Sequence, residues 1–234
     1  SGHKIILFGL GWWQYQSPPN KYTKIFLRRF LSNSPVKHSV RDAYTLEMLA
    51  SIGIHDALNT SCPTTWTLTP EHCSKVPPSR SRSVIATLTD YSRSPYSDTE
   101  MIALLLKSYE KVYLWLQGLD DYQYVKDLGF SCQDNLIIVP PNLAAYERLL
   151  SFHDLDYVGT RLHAGIKAIQ CGKRALIMSV DNRANEIAKD INLPTAPRDA
   201  VTAIHEFIES DRSTEIRLPY HAITQWKNQF SSLV

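Results

Sequence analysis

Arg161 and His163 are the residues of this sequence whose types and position best suit proton transfer on a bound anion. They follow a short apolar run, residues 155–158, and open a segment with helical periodicity. Ligands of α/β proteins collect at the carboxyl ends of the strands, and backbone N–H groups at a helix start attract anions. An arginine binds phosphate or carboxylate through its planar fork, and an imidazole exchanges protons near neutral pH. The alternative is an ordinary strand-to-helix turn in which Arg161 caps its neighbours and His163 is a satisfied helix-start histidine.

Other polar residues follow predicted strands in the same half of the chain. Parallel strands bring their carboxyl ends to one edge of a sheet, so such residues converge there. Asp181 and Arg183 also fit a plain capping pair on the next helix. The residues expected at this edge are Thr89, Asp90, Tyr91, Arg93, Gln117, Thr160, Arg161, His163, Asp181, Arg183 and Glu186.

The elements that carry these residues form a regular pattern from residue 84 onward. Short apolar runs alternate with helical segments of about ten residues, which predicts an α/β fold with parallel sheets and helices on both faces. Residues 69–83 contain three prolines and the run Ser79-Arg80-Ser81-Arg82, typical of a solvated linker, although the arginines also suit an anion site. The predicted domains are an N-terminal Rossmann-like lobe (1–68), a linker (69–83), a C-terminal Rossmann-like donor-binding lobe (84–218) and a helix that braces the lobes (219–234).

The first lobe begins with an apolar run, residues 4–10, which predicts a buried strand ending in a glycine-rich loop. Trp12, Trp13 and Tyr15 in that loop suit a platform on which a sugar stacks, or they pack against the edge of the domain. Further along, Ser97 is expected to cap a helix that runs to Lys107, with Glu100 completing a capping box.

Composition excludes several classes of function. The chain of 234 residues has a formal net charge of +2, too small to indicate a nucleic-acid partner. It contains no apolar run long enough to span a membrane, no phosphate loop and no ligand spacing for a metal. We therefore expect neither a metal nor a cofactor. Four cysteines without CxxC spacing, Cys62, Cys73, Cys132 and Cys171, suit reduced thiols in the cytoplasm, although a Cys62–Cys73 disulfide is conceivable.

The run Gly159-Thr160-Arg161-Leu162-His163-Ala164, with Asp181, Glu186 and Pro194 following, resembles the polysaccharide pyruvyltransferase family. Earlier in the chain, Val40-Arg41-Asp42 and Cys62-Pro63-Thr64 resemble the first-lobe pattern of that family. The matches keep their order from about residue 6 to residue 194.

This resemblance implies two Rossmann-like lobes in a GT-B-like fold. It implies transfer of a pyruvyl group from phosphoenolpyruvate, the co-substrate, to a sugar or lipid-linked glycan of a cell-wall polysaccharide or exopolysaccharide, as a cyclic ketal. Arg161 matches the position expected to hold the donor anion, and His163 the general acid/base. The implied donor site comprises Thr160, Arg161, Leu162, His163, Arg93 and Asp181, and the implied acceptor site Trp12, Trp13, Arg41 and Asp42.

The sequence departs from the family pattern at two places. The glycine-rich element on the first strand has no match, so an incomplete first lobe is expected. The arginine that the family often carries after the first strand of the second lobe is absent, and Arg93 is the nearest candidate. Two alternatives are a nucleotide-sugar glycosyltransferase of GT-B shape and a non-catalytic glycan-binding relative.

Overall fold

The computed structural model describes residues 5–130 and 133–231, so Cys132 lies outside the described residues. The described residues form the following elements in chain order: α1 (Lys21–Leu31), β1 (His38–Val40), α2 (Ala43–Ser51), β2 (Ala57–Asn59), a 3-10 turn (Pro63–Thr65), α3 (Pro70–Cys73), β3 (Ser83–Thr87), α4 (Pro95–Ser108), β4 (Lys111–Trp115), α5 (Leu119–Asp127), β5 (Leu136–Val139), α6 (Leu143–Leu150), β6 (Leu155–Gly159), α7 (Leu162–Gln170), β7 (Ala175–Ser179), α8 (Asn182–Ile191), β8 (Thr195–Pro197), α9 (Val201–Glu209) and α10 (Tyr220–Asn228).

The chain divides into two compact units. The first unit consists of the described residues of Ser1–Thr69, Asp181–Leu193 and Ile216–Val234, and the second unit of those of Pro70–Val180 and Pro194–Glu215. The first unit therefore includes α8 and α10, which come late in the chain. The domain limits predicted from the sequence stay a prediction.

The second unit is built on a six-stranded parallel sheet with the order β5-β4-β3-β6-β7-β8. Its central strands are almost entirely buried and mostly apolar, as expected of parallel strands covered on both faces, and the buried Asp156 in β6 pairs with Arg174. The predicted α/β fold with parallel strands and helices is confirmed. Strand β8 was not predicted, because its three residues lack an apolar run and Pro197 is compatible only with the edge position that it occupies.

The first unit contains a two-stranded parallel sheet, β1-β2, whose core includes Val40, Leu49 and Ile52. The predicted buried strand over residues 4–10 is wrong for the described residues 5–10. A single parallel bridge joins Leu10 to Val40, and Phe8 is more than half exposed. These residues lie along the edge of β1, where two backbone hydrogen bonds join them to Ser39, and the exposed ring of Phe8 stacks on one side against Trp226.

Two local predictions are also corrected. Helix α4 starts at Pro95 rather than after Ser97, because the fixed φ of proline suits the first helical position. Residues 69–83 include the short helix α3 and bury Cys73 and Val76, so part of this segment belongs to the core. Among the described residues, Cys62, Cys73 and Cys171 are not joined to one another by a disulfide.

Candidate active site

The candidate site lies at the carboxyl edge of the six-stranded sheet, between β3 and β6. From these two central strands the sheet is built outward in opposite directions, through β4 and β5 on one side and β7 and β8 on the other. This reversal leaves a crevice outside the strand ends, where open α/β sheets bind their ligands. The loop after β3 carries Asp90, Tyr91 and Arg93, and the turn after β6 carries Arg161.

A closed set of hydrogen bonds holds the backbone of the turn at Arg161. The Arg161 N–H donates to Thr87 Oγ1 at 3.3 Å, and the hydroxyls of Thr87 and Tyr157 are 2.7 Å apart. The Tyr157 hydroxyl donates to the Arg161 carbonyl at 2.9 Å, so the Thr87 hydroxyl donates to Tyr157. Burial raises the pKa of Tyr157, which keeps this donor protonated. Thr87 and Tyr157 were not predicted as site residues, since a threonine and a tyrosine inside apolar strands give no sequence signal.

The ends of β3 and β6 approach closely beside this turn. A Cβ on Gly159 would lie 2.3 Å from Thr87 Oγ1 and 2.6 Å from the Thr87 backbone nitrogen, so only glycine fits. Thr160 is buried, and its hydroxyl lies 2.7 Å from that of Thr89. Thr160, predicted as a donor-site residue, therefore joins the two strand ends. Leu162, also predicted there, is buried at the start of α7.

The Arg161 guanidinium is held by two carboxylates and a carbonyl. Its Nε donates to the Leu88 carbonyl at 2.7 Å, and its Nη2 lies 2.9 Å from Asp90 Oδ1 and 3.0 Å from Asp121 Oδ1. The side chains of Asp90 and Asp121 are 25% and 2% exposed, and that of Arg161 is 14% exposed. Asp121 also accepts the Gln117 backbone N–H at 2.7 Å. Asp121 was not predicted as a site residue, because it lies inside a polar helix start, Asp120-Asp121-Tyr122, that reads as a solvated face.

His163 and Arg93, the other predicted titratable and cationic groups, are exposed near this site. His163 lies in the first turn of α7, two residues after Arg161. Arg93 donates from Nε to the Asp90 carbonyl at 3.2 Å, and its guanidinium lies 4.8 Å from the centre of the Tyr124 ring. Arg93 therefore belongs to the loop that also carries the Arg161 partner Asp90.

A buried ion pair supports the far side of that loop. Arg198 binds both carboxylate oxygens of Asp98, at 2.9 and 2.6 Å, and donates to the Ser92 carbonyl. The Tyr124 hydroxyl donates to the same carboxylate at 2.5 Å, and burial raises the pKa of Tyr124. Arg198 follows β8, a strand that was not predicted from the sequence, so its ion pair with Asp98 was not predicted either.

Comparison with known proteins identifies the family. The family model described as polysaccharide pyruvyl transferase matches residues 1–182. The chain belongs to the polysaccharide pyruvyl transferase family. A search of curated proteins finds no match. Among solved structures, the S. aureus MnaA–UDP co-structure is similar, with a TM-score of 0.50 at 12% identity over 90% of this chain. The chain spans 60% of the length of that structure, and the likeness shows a GT-B-like fold.

The remaining predicted residues of this polysaccharide pyruvyl transferase family member lie in the first unit. Asp181 caps α8 and accepts from the Arg183 N–H at 2.9 Å, as the capping alternative expected. Asp42 caps α2 through the Thr45 N–H at 2.7 Å. Arg41 lies against Gly11, where a Cβ would come within 1.9 Å of its Nε.

The aromatic loop of the first unit is partly buried and partly exposed. The Trp12 N–H donates to Thr45 Oγ1 at 2.7 Å, and the Trp12 indole nitrogen is buried without a hydrogen-bond partner. Trp13 is 69% exposed. Tyr15 donates to Glu186 at 2.5 Å, and partial burial together with this carboxylate raises its pKa. Trp12 therefore packs within the first unit, as the packing alternative expected, and Trp13 is exposed, while the sugar-stacking platform stays a prediction.

The described residues show neither a metal-like cluster nor a membrane-spanning helix. Within residues 5–130 and 133–231, no three His, Cys, Asp or Glu side chains come together as a metal site would require. None of the described helices is both long enough and apolar enough to cross a membrane.

Proposed function

We propose that this protein transfers a pyruvyl group from phosphoenolpyruvate to a sugar of a polysaccharide or lipid-linked glycan, forming a cyclic ketal. The observation that carries the proposal is the position of Arg161 and His163. The two residues that match the family motif lie together at the crevice where the strand order of the six-stranded sheet reverses. Membership of the polysaccharide pyruvyl transferase family supports the pyruvyl group as the one transferred.

Arg161 binds the donor in this proposal. A guanidinium matches the planar, two-oxygen geometry of a carboxylate or phosphate. Two carboxylates already offset its charge, but they differ in accessibility: Asp121 is buried, and Asp90 lies on the loop after β3 with a quarter of its side chain exposed. The donor anion therefore replaces Asp90 at Nη2, while Asp121 continues to orient the guanidinium.

His163 moves the protons. Protonation of the methylene carbon of phosphoenolpyruvate makes a cationic carbon, which one sugar hydroxyl attacks with loss of its proton. The bond from that carbon to the phosphate oxygen then breaks, phosphate leaves, and a second hydroxyl closes the ketal and loses its proton. An exposed imidazole in the first turn of α7 can give the first proton and accept a later one.

The acceptor glycan is proposed to contact the loop and strand end of the first unit that contain Trp12, Trp13, Arg41 and Asp42. Trp13 offers an exposed ring, and Arg41 follows β1 directly. Aromatic faces and charged groups together suit a sugar, whose ring has an apolar side and a polar rim.

A glycan-binding role without catalysis is the second candidate, and one observation favours it. The positive charge of Arg161 faces two carboxylates, which opposes the binding of an anionic donor. The nucleotide-sugar alternative is supported by the fold alone, since the MnaA–UDP co-structure is only 12% identical.

The test measures phosphate released from phosphoenolpyruvate in the presence of a panel of polysaccharides and lipid-linked glycans. We expect acceptor-dependent release that falls by about 100-fold or more in His163→Gln and Arg161→Lys. His153→Ala, which removes an exposed histidine of the second unit, is the matched control and should release phosphate normally. Glycan binding without any release would support the second candidate. Saturable binding of uridine diphosphate without release would support the nucleotide-sugar alternative.

A further inference from the structure

We propose that Tyr91 is the surface on which the accepting pyranose stacks beside Arg161. This inference rests on the proposed function for the reaction and adds a sugar-binding residue in the second unit. No residue of the loop after β3 is assigned to the acceptor by the family motif.

The position of Tyr91 is the first support. Tyr91 is 63% exposed, although it follows a strand end at the crevice, and the centre of its ring lies 5.4 Å from the Arg161 guanidinium carbon. The preceding residue, Asp90, contacts the same guanidinium. A ligand that lies on the exposed part of this ring is therefore adjacent to the cation proposed to hold the donor.

The loop is also held in place without a ligand. Thr89 is buried and its hydroxyl lies 2.7 Å from that of Thr160, which fixes the loop where it leaves β3. Beyond Tyr91, the Ser92 carbonyl accepts from Arg198, whose guanidinium is itself held by the buried Asp98. Because the chain is held in place on both sides of Tyr91, a ligand that binds its ring needs to order little of the loop, so the entropic cost of binding is small.

The chemistry of this pair of residues matches a sugar. The C–H side of a pyranose is apolar and flat enough to cover an aromatic face, which removes apolar area from water. The hydroxyls of the sugar need hydrogen-bond acceptors. The carboxylate of Asp90, the residue before Tyr91, can accept from them once the donor has replaced it on Arg161. The hydroxyls of a sugar held there would lie next to the donor carbon that they attack.

The experiment is saturation-transfer NMR on the full chain. The probes are methyl β-D-galactopyranoside, methyl β-D-glucopyranoside and methyl α-D-mannopyranoside, with uridine and phosphoenolpyruvate as separate ligands. Tyr91→Ala is compared with Tyr91→Phe, which keeps the ring, and Tyr91→Leu, which keeps apolar bulk. Tyr96→Ala is the matched control, because Tyr96 is an exposed tyrosine in the first turn of α4. Circular dichroism establishes that each variant is folded.

We expect at least one glycoside to bind the unmodified chain. Tyr91→Ala and Tyr91→Leu should weaken that binding by about tenfold, and Tyr91→Phe by less than about threefold, since the ring and not the hydroxyl makes the contact. Phosphoenolpyruvate binding should change by less than about threefold in all of them. Tyr96→Ala should bind like the parent.

The inference is overturned if Tyr91→Ala binds the glycosides normally, or if no glycoside binds the unmodified chain. It is also overturned if the substitution weakens only phosphoenolpyruvate, which would mean that Tyr91 serves Arg161, or only uridine, which would mean a nucleobase site. These are binding measurements, so they separate the two proposals: glycoside binding that depends on Tyr91 in a protein that releases no phosphate would retain this inference and reject the pyruvyl transfer.

Discussion

Arg161 illustrates how one side chain serves structure and proposed chemistry together. Its Nε bonds to the Leu88 carbonyl, which fixes the plane of the guanidinium, while Nη2 faces Asp90 and Asp121. The carboxylates differ in burial, so they differ in how readily a ligand can displace them. A buried partner that also accepts a backbone N–H keeps its place, and a partly exposed one on a loop can be replaced by solvent or ligand.

The first prediction separates these two carboxylates. Asp90→Asn removes the charge that competes with the donor, so phosphoenolpyruvate should bind about fivefold more tightly. Asp121→Asn disturbs the orientation of Arg161, so binding should weaken by about tenfold. Isothermal titration calorimetry measures both. Asp120→Asn, beside Asp121 but exposed, is the control and should bind like the parent. Weaker binding in Asp90→Asn would show that Asp90 orients Arg161 as well.

At the scale of elements, the turn from β6 into α7 depends on residues from two strands. Thr87 ends β3 and Tyr157 lies within β6, and their hydroxyls complete the hydrogen bonds around the Arg161 backbone. The Gly159 backbone packs too closely on Thr87 for any side chain. The direction in which α7 starts, and with it the position of His163, is therefore set by the pairing of β3 with β6.

The second prediction removes one hydroxyl from this turn. Tyr157→Phe keeps the buried ring but loses the bond to the Arg161 carbonyl, so kcat/KM for phosphate release should fall by about tenfold, with a stability loss of about 1 kcal/mol. Tyr146→Phe is the matched control, because its buried hydroxyl bonds to the Ala164 carbonyl at 2.7 Å and not to the Arg161 backbone. Urea unfolding should show a similar loss of stability in both variants. Equal activity in both would mean that Tyr157 supports only the fold.

The third prediction concerns Asp190, which binds the Ala43 N–H at the start of α2 and the Asn59 side chain. Burial raises its pKa, and the nearby carboxylates Asp42 and Glu186 raise it further. An unfolded aspartate titrates near ~3.9. The folded state therefore holds more protons above that pH, and stability falls as pH rises through the raised folded value.

Asp190→Asn removes the carboxyl group whose ionisation destabilises the folded state. The difference in unfolding free energy between the variant and the parent should therefore shift in favour of the variant as pH rises from about 4 to about 7. Urea unfolding at these two pH values measures the difference. Asp56→Asn removes an exposed carboxylate of the same unit and controls for the loss of one negative charge. A difference that is constant with pH would contradict the prediction.

At the scale of the whole molecule, the chain returns to its first unit after completing most of the second. Helix α10 packs its Trp226 against Phe8, with ring centres 4.8 Å apart, and against Trp66 at 6.1 Å. The Trp226 indole also donates to the Lys37 carbonyl at 2.9 Å. The end of the chain thus covers apolar rings near its beginning, inside a unit whose sheet has two strands.

The fourth prediction tests how much the packing of α10 on these rings stabilises the first unit. Trp226→Ala should lower the free energy of unfolding by about 2 kcal/mol, because it removes ring contacts with Phe8, Trp66 and Phe230 and a hydrogen bond while the site is only partly buried. Trp13→Ala, at an exposed ring, should change it by less than about 0.5 kcal/mol. Chemical denaturation followed by circular dichroism measures both. Equal changes in the free energy of unfolding would mean that the contacts of Trp226 add little stability to the first unit.

Much of the fold was predictable from the sequence, and the reason is local. Apolar runs of four or five residues act within one element, so the alternation of short strands with helices from residue 84 onward was predicted, and the structure confirms it. The failures also have a local origin. Strand β8 is too short to produce a periodic pattern, and the apolar run that ends at Leu10 predicted burial although its described side chains are exposed or half-buried.

Local sequence patterns were enough to place Arg161 and His163 where a strand passes into a helix, and to place polar residues after neighbouring strands. The order of the strands, the sharing of Arg161 between Asp90 and Asp121, and the contact of its turn with Thr87 and Tyr157 emerge only when the chain is folded. Periodicity reports how a segment is buried, and not which distant segment buries it. Contacts that join residues 40 to 74 positions apart depend on strand pairing, which no local pattern encodes.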